Sequence, residues 1–141
     1  MSRGGSDNWD GHLNLLSLDG GGVRGLSSLM ILKNIMENLN PDSPPLPCDY
    51  FDMIGGTSTG GLIAIMLGRL KMSVDDCIDE YKKLSPRIFT KIHHRITVTG
   101  RIQGRFDHVA LENGIKDLLR RRGLDEETLF KEDLQAQKCK T

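Results

Sequence analysis

The 141-residue sequence predicts an α/β layer fold with a mainly parallel central sheet. Three observations carry that expectation. Two short apolar runs each end in a glycine cluster, and each cluster is followed at once by a stretch of helical apolar spacing. Strand and helix then alternate in short succession, the order that builds parallel sheets. Two strands do not make such a sheet alone, and the last segment, LQAQKCKT, reads as the approach to another strand. The expected fold is therefore incomplete at its C-terminus, with a polar extension over residues 1–12 and the N-terminal portion of a larger domain over 13–141. Its open, apolar sheet edge is expected to make the chain marginally stable or prone to aggregation.

The first run, HLNLLSL over residues 12–18, suits a buried strand stopped by Asp19 and three glycines. Leu26, Leu29, Met30, Ile35, Met36 and Leu39 then recur largely at three- and four-residue steps, which predicts a helix over 26–38. Asn40-Pro41 and the run SPPLP at 43–47 break it, because proline has no amide to donate and biases its predecessor away from helix. A second strand is expected over 50–54 and a strongly apolar helix over 60–70. Ser73 with Asp76 resembles a capping box, with aspartate in place of Glu or Gln. It opens a third helix whose buried stripe is Val74, Cys77, Ile78, Tyr81 and Leu84, and Ser85-Pro86 is expected to end it. Residues 88–105 have no clear period and read as a loop, with a short strand near 96–98. The fourth helix is capped by Asp107, carries Val109, Leu111, Ile115, Leu118 and Leu119, and stops at Gly123.

Composition excludes several classes. A hydrophobic fraction of 38% with 27% charged residues is that of a globular chain, neither disordered nor fibrous. Nineteen basic and 19 acidic residues cancel, so there is no bulk nucleic-acid signature. Over residues 86–122, however, nine Lys/Arg face three Asp/Glu. That excess is either a solvated basic face or a surface that approaches anionic headgroups. Three widely spaced cysteines without CxxC spacing, and an N-terminus lacking the apolar core of a signal peptide, point to reduced thiols in the cytoplasm. The longest apolar run, Leu62 to Leu67, has six residues against the ~20 needed to span a bilayer, so any membrane contact would be peripheral.

Chemistry concentrates at the two glycine corners. In the first, Gly20-Gly21-Gly22-Val23-Arg24-Gly25 satisfies G-x-G-x-x-G between strand and helix, the dinucleotide fingerprint. That fingerprint also needs an acid ~20 residues on, at a second strand's end. Glu37 and Asp42 fall at a helix end and in a proline-broken loop instead. More generally, such glycines let several amides converge beside a helix N-terminus and form an anion hole, to which Arg24 adds charge or bracing. The second corner, Gly56-Thr57-Ser58-Thr59-Gly60, is G-x-S-x-G between an apolar strand and an apolar helix, the nucleophile elbow. Gly56 and Gly60 must be small because strand and helix nearly touch there, and Gly55 and Gly61 extend that allowance. Ser58 is the candidate nucleophile, and the amides of Thr59, Gly21 and Gly22 are candidate oxyanion donors. Both corners end strands, which places them at one edge of the sheet, where open α/β folds bind ligands.

With LSLDGGGVRGL followed by YFDMIGGTSTGGLIAIML, the chain resembles the patatin-like phospholipase family from Leu13 onward. The segment FDHVALENGIKDLLRRRG, 106–123, resembles that family's helix after its lid-like region, and the closest likeness is to fungal members, in which such a domain often begins a longer chain. The resemblance implies a three-layer α/β/α domain and a lipid acyl hydrolase with a Ser–Asp dyad, Ser58 as nucleophile, and Gly20, Gly21 and Gly22 with Arg24 as the oxyanion loop. It implies a lipid ester substrate met at a lipid surface, no cofactor, no nucleic acid, and further domains C-terminal in the full-length protein. The family's aspartate lies in a later D-G-[GA] motif, and no D-G dipeptide follows Ser58 here. The general base is thus expected outside these residues, and little or no turnover from this chain alone.

Other candidates are weaker. His12, His93, His94 and His108 raise a Ser–Asp–His triad, which would be completed later in the chain. Asp52 reads as a strand-edge or loop-bonded carboxylate, Asp75 and Asp76 as first-turn helix acids, and no cluster, Asp49 included, has metal-ligand spacing. A non-catalytic interaction module is the alternative from another class.

Overall fold

The computed structural model describes residues 12–89, 108–126 and 139–141. In chain order the elements are β1 (Leu15–Leu18), a 3-10 turn (Gly22–Arg24), α1 (Gly25–Leu39), α2 (Pro47–Tyr50) and β2 (Met53–Gly56). There follow α3 (Thr59–Ala64), running on into a π-helical turn (Ile65–Arg69), then α4 (Val74–Phe89) and α5 (His108–Arg121). β1 and β2 pair in parallel with Leu15 opposite Met53 and Leu18 opposite Gly56, so the α/β class and the parallel pairing are as expected. Of the segment LQAQKCKT, residues 139–141 are described, and they approach the sheet. Lys140 bridges Met53 in parallel, its amide donating to the Asp52 carbonyl at 2.9 Å and its carbonyl accepting from Ile54 at 2.8 Å. β2 therefore lies between β1 and this terminal segment.

Alternation along the strands decides what is buried. Leu18 and Ile54 join the core with Leu16 packed against them, while Leu15 and Met53 point the other way and stay 61% and 46% exposed. On the core side, α1 contributes Leu29, Leu32 and Met36, the segment after the elbow Ile63, Met66 and Leu67, α4 Cys77, Tyr81 and Leu84, and α5 Leu118. The buried face of α1 is thus Gly25, Leu29, Leu32 and Met36. Met30, Ile35 and Leu39, expected on that face, are exposed. Steps of four, three and four keep one angular stripe in line, and the expected set strays from it.

Three boundaries differ from expectation. Tyr50 belongs to α2, not to the second strand, which runs Met53–Gly56. Pro47 stands at the first helical position, where its missing amide is no loss, and Phe51 closes the turn on the Pro47 carbonyl at 2.9 Å. The helix after the elbow widens at its end, with Leu70 N–H donating five residues back to Ile65 at 2.9 Å. Third, α4 does not stop at Ser85-Pro86 but continues to Phe89. Leu84 and Ile88 are both buried, and their packing holds the last turn on the core despite the hydrogen bond that Pro86 removes. Its start is as expected: Asp76 N–H donates to Ser73 Oγ at 3.1 Å.

α5 ends before Gly123, whose φ of 70° and amide bond to Arg120 make it the expected glycine stop. The remainder of the 88–105 loop, the strand near 96–98, His93, His94, Asp107 and the extension at 1–11 lie outside the described residues. Of the basic stretch, the described cations are ion-paired: Arg87 and Arg120 with Asp117, Lys116 with Glu112, Arg121 with Glu80 and Arg122 with Asp76. They form a solvated, paired face. All three cysteines are free and buried, and burial pushes their thiol pKa values up. Among the described residues no helix is long and apolar enough to cross a membrane.

Candidate active site

β2 ends at Gly56 and α3 begins at Thr59, so only Thr57 and Ser58 turn the chain from strand to helix. Ser58 takes φ 54° and ψ −124°, a backbone state that costs a non-glycine residue roughly 1–3 kcal/mol. The packing around it enforces the corner. A Cβ on Gly60 would overlap the Leu18 carbonyl, and one on Gly56 would overlap the Gly60 backbone. Thr57 N–H donates to Leu18 O at 3.1 Å, Gly60 N–H to Thr57 O at 2.9 Å and Leu62 N–H to Ser58 O at 3.2 Å. The end of β1, the end of β2 and the start of α3 therefore meet within one residue's width, and Ser58 is left exposed.

The other glycine corner leans directly on this one. A Cβ on Gly20 would sit 2.8 Å from the Ser58 Cβ and 3.5 Å from its Oγ. Gly20 N–H donates to Thr57 Oγ1 and Gly21 N–H to Thr59 Oγ1, each at 3.2 Å. The two corners thus share one sheet edge as expected, stitched by the two threonines that flank the serine. The Gly21 amide, a candidate oxyanion donor, is thus engaged by Thr59 in this arrangement. The amides of Gly22 and Thr59 lie outside these cross-corner bonds. Gly22 has φ 58° and opens the 3-10 turn that carries the exposed Arg24, whose Cβ and Nε come back over Gly21.

Two residues passed over in the sequence join the site. Thr57 is one. The other is Tyr81 on α4, counted above only as a stripe residue. It is 2% exposed, and its phenol donates to the Gly22 carbonyl. Burial pushes the Tyr81 pKa up, partly offset by a hydrogen bond from the Thr59 side chain. A tyrosine in an otherwise aliphatic stripe was the available signal, since a buried phenol needs a polar partner.

Among the described residues, Ser58 Oγ has no hydrogen bond to a carboxylate or an imidazole. Asp52 Oδ2 instead accepts the Asn14 amide at 2.9 Å, the loop-bonded role expected of it. Asp75 pairs with Lys33 at 2.6 Å and Asp76 with Arg122 at 3.6 Å. No group of three potential metal ligands occurs among the described residues. A cavity of about 470 Å³ lies beside Ser58, lined by Ile54, Gly55, Gly56, Leu62, Ile115 and Thr141, among others. Its walls combine β2, α3 and α5 with Thr141.

The patatin-like phospholipase family model matches residues 16–139. Patatin-like protein 4 of Arabidopsis thaliana is 42% identical over 86 residues, covering 55% of this chain and 21% of that protein. Phospholipase A I of the same plant is 40% identical over 79 residues, 56% of this chain and 6% of that protein. Human calcium-independent phospholipase A2-gamma is 38% identical over 79 residues, 56% of this chain and 10% of that protein. The matched region is thus about a fifth of the first relative's length and a tenth or less of the other two. No solved structure matches the chain. With a family match over nearly all of the described fold, and both glycine corners inside it, the chain belongs to the patatin-like phospholipase family.

Proposed function

We propose that this chain carries the nucleophile half of a lipid acyl hydrolase. Ser58 Oγ attacks the carbonyl carbon of a lipid ester, and the tetrahedral oxyanion is received by the amides of Gly22 and Thr59. The N-terminus of α3 favours that negative charge by about 0.3–1 kcal/mol, and each amide donor is worth ~2.7–4 kcal/mol. The serine proton passes to an aspartate outside the described residues, the lipid alcohol departs, and water releases the acyl group from Ser58. The carrying observation is the elbow itself: an exposed serine at φ 54° with a glycine loop pressed against its Cβ. The names of the relatives support lipid esters as the substrate class, met at a lipid surface by peripheral contact.

The test is covalent. A fluorophosphonate probe should phosphonylate the wild-type protein at Ser58, read as a single added mass, and leave Ser58→Ala untouched. A folded wild-type sample that stays unlabelled would overturn the nucleophile and favour an interaction module. Turnover of p-nitrophenyl esters by the 141-residue chain is expected to be little or none. A robust rate, lost in Ser58→Ala, would place the general base within this chain.

A further inference from the structure

The glycine corner is not held by its own backbone alone. Gly21 N–H donates to Thr59 Oγ1 at 3.2 Å, and the Tyr81 phenol donates to the Gly22 carbonyl. These two bonds brace the Gly21–Gly22 peptide from both sides, and the brace comes from other elements, α3 and α4. The chain leaves room for it. A Cβ on Gly25, the last glycine of the corner, would overlap the Tyr81 hydroxyl and lie 3.1 Å from Ile63 Cδ1. The phenol is buried at 2% exposure, too far from water for solvent to take over its bond to Gly22.

We propose that Tyr81 is a positioning residue: its bond to the Gly22 carbonyl, acting with that of Thr59 to the Gly21 amide, holds the peptides on either side of the Gly22 N–H and so narrows the direction of that amide. The inference rests on the serine-nucleophile reading above and deepens it. The Gly22 carbonyl is coplanar with the Val23 amide and the Gly21 amide with the Gly20 carbonyl, so pinning both holds the peptides on either side of the Gly22 N–H and narrows the dihedral range left to it. An oxyanion donor is effective when its direction is set before the charge develops. Glycine has no side chain to set that direction, and with φ 58° at Gly22 its backbone is the most permissive there is. Tyr81 would supply from α4 the constraint that the glycines cannot supply themselves. It touches no reacting atom.

The experiment compares wild type, Tyr81→Phe, Thr59→Val and Thr59→Ser. Each is read by the second-order rate of fluorophosphonate labelling at Ser58, by exchange of the Gly21 amide in NMR, and by thermal melting. Tyr81→Phe keeps the ring and removes only the hydroxyl. It should slow labelling at least tenfold and speed Gly21 exchange at least tenfold, although the lost hydroxyl is not itself the partner of the Gly21 amide, while melting stays cooperative. Thr59→Val should slow labelling likewise, and Thr59→Ser should recover what Val loses. Wild-type labelling in a folded Tyr81→Phe protein, or unchanged Gly21 exchange, overturns the proposal. Should Tyr81→Phe not fold, the Thr59 Val/Ser pair decides it by labelling: equal rates refute it. If the wild type itself is not labelled, the serine reading fails, and the brace is judged on Gly21 exchange in Tyr81→Phe alone.

Discussion

At the scale of the residue, Ser58 sets chemistry against stability. Its φ of 54° is imposed by the contacts of Gly20, Gly56 and Gly60 with their neighbours, and a side chain there is under strain. Ser58→Gly should therefore raise stability by about 1 kcal/mol, the roughly 1–3 kcal/mol of relieved strain less the ~0.4–1 kcal/mol that glycine returns to the unfolded chain. Ser58→Ala keeps the Cβ and should leave stability within about 0.5 kcal/mol. Urea melts of the three proteins check both figures, and a glycine variant no more stable than alanine would show the corner to be unstrained. Ser58 was legible from the sequence because its pattern is local: small residues two before and two after, strand on one side and helix on the other. Thr57 was not, because its hydroxyl acts on Gly20, 37 residues away in the chain, and nothing in its own neighbourhood marks it. The same holds for the Gly21 amide, whose engagement with Thr59 depends on how two distant corners dock.

At the scale of the element, α4 and α5 are joined by a close approach and by charge. A Cβ on Gly114 would lie 2.7 Å from Leu84 Cδ2, so the helices meet there without a side chain between them. In an open helix Gly→Ala gains about 1 kcal/mol. Here Gly114→Ala should instead be neutral to destabilising in the wild type, and stabilising once Leu84→Ala has removed the opposing branch. Leu84→Ala alone should cost ~2–5 kcal/mol, and a double-mutant cycle should return a coupling of about 0.5–3 kcal/mol. Strict additivity would contradict the contact. Glu80 supplies the charge. Burial alone would raise its pKa, but hydrogen bonds from Lys83 and Arg121 outweigh that and hold it below the ordinary 4.5. Its contribution is therefore fully present above the unfolded-state value and is lost as pH falls through the lower folded value. Stability measured from pH 7 downward should drop on that acid limb, and Glu80→Gln should be less stable at neutrality with a shallower limb; parallel curves would count against it. These helices were legible in kind and poorly legible at their ends. Periodicity located α4, yet Pro86 outweighed it in the sequence and lost in the fold, because burial of Leu84 and Ile88 is a tertiary gain that no local rule contains.

At the scale of the whole molecule, the described residues leave the sheet with one dressed face and one bare one. Strand alternation sends Leu18 and Ile54 into the core and leaves Leu15 and Met53 opposite one another on the other side, with Leu13 two residues before Leu15 and 51% exposed. Among the described residues nothing pairs with the outer edge of β1, so an apolar face and an unpaired edge coincide. The parallel alternation expected from the sequence fixes this geometry, since covering one face of a sheet with helices says nothing about the other. Such a surface is a template for a second chain. Sedimentation velocity should show concentration-dependent self-association of the 141-residue chain. Leu15→Lys, at a 61% exposed position, should suppress it while changing stability by no more than about 0.5 kcal/mol. Ile31→Lys is the control, because Ile31 is equally exposed at 63% but lies on α1, away from the sheet. Suppression by Leu15→Lys alone places the association on the bare face of the sheet. Equal suppression by both would move it to apolar surface in general, and a wild type that stays monomeric at every concentration would mean that the edge of β1 is protected.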